Sequence, residues 1–275
     1  MPPFTLPTDG IITHEWYKAQ ILQLDPDDDE AEQAIRMAIE RRTRQDLAAA
    51  LAEQRAAIID PARAADDAVD FMRRDFERLM HELMFNPQMR DRLRRGMIGS
   101  VDLGIQVAID QFNRIGFGFD WTLANAAARD WANDYVGELI TNIDATTQRL
   151  TRQAVREWID NGQPLDDLVD ELAPIFSRDR ADLIASTEVT RAYAEGNRQA
   201  YLASGVVQRW EWRTANDELV CPICRPLNNT QVTIGTGFEG FLPDDVRVSR
   251  GFDAPPGHPR CRCWIVPVIE DVPNA

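Results

Sequence analysis

All four cysteines of the chain and one of its three histidines fall in a single C-terminal stretch: Cys221-Pro-Ile-Cys224, then, after a long loop, His258-Pro-Arg-Cys261-Arg-Cys263. A C-x-x-C turn sets two thiolates on one side of a tight loop, and a second pair from a distant loop can complete the tetrahedron that zinc prefers. Five side chains compete for four positions. The spacing favours Cys221, Cys224, His258 and Cys261, because His258 and Cys261 repeat the two-residue spacer of the first pair. The alternative puts Cys263 in place of His258 or Cys261, and both sets stay open. The N-terminus lacks a basic and apolar leader, and no run of about 18 apolar residues offers a membrane span. The chain is therefore expected to be made and kept in cytoplasm, where reduced, clustered thiols point to a metal rather than to disulfides.

The expected role of such a metal is structural. A loop-rich unit of about seventy residues buries little apolar surface, so a closed zinc site would supply much of its folding energy. A catalytic zinc needs an open coordination position and a general base. Nucleobase deaminases combine P-C-x-x-C with an upstream H-x-E whose glutamate shuttles protons, and that element is missing here. His14 and His81 are each followed directly by a glutamate, which is a different geometry, and His258 comes after the cysteine pair. No catalytic residue is assigned. A redox role for C-P-I-C would need a thioredoxin-like βαβ context, which the sequence does not show.

Helices must position this cluster. Asp25 to Glu30 reads as an acidic helix start, with a helical stretch from Ala31 to Ile59 behind it. Asp60-Pro61 punctuates the chain and opens a second helix through Phe71, Phe76, Leu79 and Leu83. A third runs from Gln88 to Ile115, where Gly96, Gly99 and Gly104 signal either a break or close packing. The clearest helix has Asp120 as its N-cap and Asn161-Gly162 as its stop. Its apolar stripe of Ala124, Ala127, Trp131, Tyr135, Leu139, Ile143, Leu150, Ala154 and Trp158 recurs at three- and four-residue steps. At about 1.5 Å per residue this helix is roughly 60 Å long, and its stripe is a candidate surface for a protein partner. A short helix follows Gln163-Pro164 and closes at Pro174. Ser177 caps another that ends at Gly205. Val206 to Trp212, Gln231 to Ile234 and Trp264 to Val268 read as strands.

Lys and Arg number 30 against 45 Asp and Glu, a net charge of −15 that argues against bulk binding to DNA or to an anionic membrane. On the helix before the strands, Glu188, Arg191 and Glu195 sit at helical spacing, which by itself reads as a solvated ion-pair ladder.

Taken in order, Thr187-Glu188, Arg191-Ala192, Glu195-Gly196, Tyr201, Gly205, Trp210, Trp212, Asp217, Cys221-x-x-Cys224 and Pro255-Pro256-x-His258-Pro-x-Cys-Arg-Cys263 form an unusual series. It resembles the phage Mu F-like head morphogenesis domain of tailed-phage minor head proteins, over roughly Ala181 to Val268. Ser186 is a departure, since the family commonly has arginine there.

The resemblance implies a structural minor head protein, located in the virion head, assembled in the host cytoplasm and associated with the portal vertex. The implied partners are the portal protein and the major capsid or other head proteins, with weak or no DNA binding and an influence on packaging or ejection left open. The rival class is a zinc-dependent enzyme or toxin-like module; no toxin module is expected downstream of Val268. The expected fold is mainly α: an elongated helical region over 1–175, and a small α+β, zinc-stabilised domain over 176–275.

Overall fold

The computed structural model describes residues 5–21, 29–83, 87–118, 121–215, 220–242 and 252–269. Within them the chain runs α1 (His14–Ile21), α2 (Asp29–Ala64), α3 (Ala68–Leu83), α4 (Pro87–Arg114), α5 (Thr122–Asn161), α6 (Leu165–Leu172) and α7 (Arg178–Ser204). Three strands follow: β1 (Arg209–Arg213), β2 (Gln231–Thr233) and β3 (Trp264–Val268). The architecture is mainly helical with a small C-terminal sheet, as the helix and strand signals predict. The acidic residues 25–28, the N-cap candidate Asp120 and motif residue Asp217 lie outside the described residues.

Several boundaries follow the local signals closely. The Ser177 side chain accepts from Arg180 N at 3.1 Å and caps α7, and Gly162 and Gly205 end α5 and α7 in the left-handed conformation that glycine adopts without strain. One boundary differs from its local signal. Asp60-Pro61 does not divide a helix pair, because α2 continues to Ala64 with Pro61 inside its last turns. One missing amide near a helix end removes one hydrogen bond, to the Ala57 carbonyl, and the helix stops soon after. The real start of α3 is set by Asp67, whose Oδ1 accepts from Val69 N at 2.9 Å and Asp70 N at 3.0 Å. Residues His14–Ile21 form α1. There Tyr17 is wholly buried, and the His14 ring Nδ1 lies 2.9 Å from Gln106 Oε1.

At the centre, α4 packs against α2, α5 and α7. Its glycines mark close approaches rather than a break, since α4 is continuous. A Cβ on Gly104 would strike the Tyr193 carbonyl oxygen and come within 2.9 Å of Asn197 N, while one on Gly196 would strike the Val101 carbonyl. The two helices therefore cross in backbone contact, which only glycine at both positions allows.

Five of the nine stripe residues on α5, Ala124, Leu139, Ile143, Ala154 and Trp158, are buried within the chain, so the stripe as a whole is not an open partner surface. Its buried line is Ala124, Ala128, Ala132, Val136, Leu139, Ile143, Ala154 and Trp158, facing the main hydrophobic core, while Ala127 is exposed. Trp131 and Tyr135 sit half-buried at its edge, stacked with ring centroids 4.8 Å apart. Trp158 is buried with its indole N–H satisfied by Pro164 O at 2.9 Å, so the turn into α6 folds back over the helix end.

The sheet is antiparallel in the order β2-β1-β3, with Trp210 opposite Val232 and Pro267, and Trp212 opposite Ile265. Trp210 and Trp212, two residues apart, share a face. They join Phe238, Phe252, Leu227, Ile265 and the thiols of Cys224, Cys261 and Cys263 in a second core. Ala108 and Phe112 of α4 and Ala200 and Tyr201 of α7 close its underside. Among the described residues no helix is long and apolar enough to cross a membrane.

Candidate metal centre

The first ligand loop is a tight turn leaving β1. Cys224 N donates to Cys221 Sγ at 3.3 Å and Arg225 N to Cys221 O at 3.0 Å, so the backbone wraps around the first sulfur and delivers the second beside it. The turn is tied to the sheet where Asn229 N donates to Trp212 O at 2.8 Å, and Asn228 Oδ1 accepts from Thr214 N at 3.0 Å.

The second loop arrives along the edge of α7. Cys261 N donates to His258 O at 3.2 Å, making the turn that pairs these side chains, with Arg260 at φ 63°. Two threonines of α7 hold it. Thr187 Oγ1 accepts from Arg260 N at 2.9 Å, and the Thr190 hydroxyl donates to Cys261 O at 2.7 Å. From α2, Arg36 donates to Arg262 O at 2.6 Å and to Cys263 O at 3.3 Å.

All five side chains singled out by spacing converge. Cys221, Cys224 and His258 form one group and Cys224, Cys261 and Cys263 another, with donor atoms in each within 4.8 Å of one another. His258 Nε2 lies 2.9 Å from Cys221 Sγ and 3.2 Å from Cys224 Sγ, and Cys224 Sγ lies 3.8 Å from Cys261 Sγ. Cys224 belongs to both groups and is the hinge of the cluster. The four cysteines are free thiols.

The chemistry of this donor set suits a thiophilic cation. His258 Nδ1–H donates to Pro259 O at 2.7 Å, since a carbonyl can only accept, and this leaves the Nε2 lone pair turned toward the sulfurs. At a Zn–S bond of about 2.3 Å, two sulfurs on one tetrahedral ion stand roughly 3.8 Å apart, the separation found between Cys224 and Cys261. Hydrogen bonding to Cys261, then to Cys263, pushes the Cys224 thiol pKa up, while hydrogen bonding from Cys224, then from Cys263, pulls that of Cys261 well down. A cation among the sulfurs would favour their ionised forms.

The motif on α7 divides its work between two faces. Glu188, 9% exposed, accepts from the Tyr135 hydroxyl at 2.6 Å and from Arg191 Nε at 3.1 Å, tying α7 to α5. Arg191 lies 5.8 Å over the Tyr135 ring, and burial raises the Tyr135 pKa. The expected ion-pair ladder is split, because Glu195 pairs instead with Arg198 at 2.8 Å. Ser186 is buried with its hydroxyl turned back to Leu183 O at 3.4 Å. Spacing singles out the five side chains of the cluster, but not Thr190 or Arg36. Thr190 could have been noticed as one helical turn from Thr187; Arg36 carries no sequence signal.

Residues 150–266 match the family model described as Phage Mu protein F like protein. The match begins within α5, upstream of the Ala181 start of the motif series, and ends inside β3. No curated protein and no solved structure matches the chain.

Proposed function

We propose, from the membership of residues 150–266 in the Phage Mu protein F-like family of head morphogenesis proteins, that this chain is a structural minor head protein of a tailed phage or phage-like particle. It is placed in the virion head at the portal vertex, is assembled in the host cytoplasm, and contributes to head assembly with the portal protein and other head proteins as partners. The functional division runs between a helical region over 1–175 and a head morphogenesis domain over 176–275. The family match is the observation that carries this reading.

Within that role the Cys/His cluster holds a structural zinc through Cys221, Cys224, His258 and Cys261, with Cys263 as the spare thiol. Support comes from the lone pair of His258 facing two sulfurs and from the tetrahedral spacing of Cys224 and Cys261. When bound, the metal would cross-link two loops that already meet where His258 and Cys261 face Cys221 and Cys224. Five protein donors for four positions leave no open site for a reacting water, so no enzymatic role is assigned.

Proteomics of purified particles, with metal analysis of the recombinant protein, tests both parts. The chain should be present at low copy, and the isolated protein should hold one zinc. Absence from both particles and assembly intermediates overturns the head-protein role. Cys224→Ser should abolish the tetrahedral cobalt spectrum and Cys263→Ser should preserve it; the opposite pattern overturns the ligand assignment.

A further inference from the structure

We propose that Arg36 of α2 is the buried counter-charge and positioning residue of the Cys/His centre, and that the metal–thiolate group it serves is net anionic. The inference rests on the metal reading above. It is carried by the juxtaposition of a buried guanidinium with the carbonyls of the Cys261–Cys263 loop.

Arg36 lies far upstream of the first ligand and outside the matched segment, yet it is only 5% exposed. Its guanidinium donates through Nη2 to Arg262 O at 2.6 Å and through Nη1 to Cys263 O at 3.3 Å. It also lies 5.3 Å over the Tyr193 ring and 5.9 Å over that of Trp264. The fork thus fixes the carbonyls flanking the last ligand candidate, while two aromatic faces, one from α7 and one from β3, hold the plane.

A buried guanidinium is costly without an opposing charge. Among the described residues no carboxylate forms an ion pair with Arg36; Glu40 lies one helical turn along, and burial pushes its own pKa up, which weakens it as a fixed anion. The loop that Arg36 holds supplies further groups that favour its charge, Cys261 and Cys263. Any zinc set with three or four thiolates carries net negative charge, and a low-dielectric cation beside it lowers the cost of ionising the ligands. Charge balance and geometry therefore meet at one residue.

The test is zinc titration of the full chain against a competing chelator, with Co2+ as the spectroscopic probe. Arg36→Met should weaken zinc binding by about ten- to a hundredfold, the usual effect of losing a group that supports a ligand. Arg36→Lys, which keeps the charge but not the fork, should fall between. Leu47→Ala, a core truncation on the same helix, serves as the stability control and should leave metal affinity near wild type.

Wild-type affinity in Arg36→Met overturns the role of Arg36 while leaving the metal reading intact. Equal weakening in Leu47→Ala also overturns it, because general loosening would then suffice. If Arg36→Met does not fold, unchanged affinity in Arg36→Lys decides against the proposal. A wild-type chain that takes up no zinc defeats the metal reading, and this inference with it.

Discussion

Thr187 and Thr190 stand one helical turn apart on α7, and each turns its hydroxyl to the loop that presents His258 and Cys261. Replacing Thr190 by valine keeps the shape but leaves the Cys261 carbonyl without its donor in a buried site, a loss of about 1–3 kcal/mol. Urea unfolding should show that loss, and a chelator should strip zinc from the variant faster than from wild type; equal stability and equal release would remove Thr190 from the support of the loop. A second residue-scale effect lies away from the cluster. Burial raises the Asp144 pKa from the ordinary 3.8 to about 6, against the opposing pull of Arg180. Between those values the unfolded chain has released this proton and the folded chain keeps it, so stability falls as pH rises through the window. The contribution lost by pH 7 is at most about 3 kcal/mol. Asp144→Asn should flatten this fall in unfolding curves taken from pH 4 to 7, and an unchanged slope would show that Asp144 titrates normally.

The crossing of α4 and α7 sets the scale of the next effect. Gly104→Ala or Gly196→Ala drives a methyl into a backbone carbonyl that cannot move aside like a flexible side chain, and each should cost more than about 3 kcal/mol. Gly137→Ala, on α5 with open space around it, should instead stabilise by about 0.5–1 kcal/mol through helix propensity. Thermal denaturation separates the cases, and a benign Gly104→Ala would contradict the close crossing. These same glycines show where the sequence could be read and where it could not. Caps such as Ser177 and Gly205, and the strand Trp264 to Val268, are local signals and stand where they predict. Gly104 announced either a break or a close packing, and only its partner Gly196, on a helix far along the chain, decides between them. On α5 the three- and four-residue periodicity correctly predicted the helix, but burial follows Ala128, Ala132 and Val136 rather than Ala127, Trp131 and Tyr135. A shift of one position turns a helix face by roughly 100°, and only the neighbouring helices fix that angle. The Cys/His cluster was legible because C-x-x-C and H-x-x-C are spacings that chemistry demands, whereas the grip of α2 on the second of its loops arises from tertiary packing alone.

Charge and metal act on the molecule as a whole. The chain carries a net charge of −15, and Arg260 beside the cluster is engaged: it meets Asp182 at 3.4 Å and the Asp179 carbonyl at 3.1 Å. Retention of duplex DNA in a gel shift at moderate salt is therefore not expected, and tight, salt-sensitive binding would require a basic surface that these contacts argue against. The larger consequence concerns the second core. Its aromatic residues pack directly on the buried thiols of Cys224, Cys261 and Cys263, while Phe112 and Tyr201 tie the same core to α4 and α7. Without a cation, the sulfurs at the centre of that packing hold their loops only by weak S–H contacts, whereas zinc would replace these by bonds whose free energy is folding free energy. Chelation at neutral pH should therefore raise amide exchange first in residues 221–227 and 258–268, then at Thr187, Thr190 and the α2 turn around Arg36, whose partners lie in the loosened loop. The second half of α5, whose contacts run to α3, to the turn into α6 and to Arg180 at the start of α7, should keep its protection. Restored zinc should reverse the pattern. Exchange that rises uniformly along the chain would mean the centre stabilises the protein only globally, and exchange that does not change would mean that the sheet and the helices hold the loops without a metal.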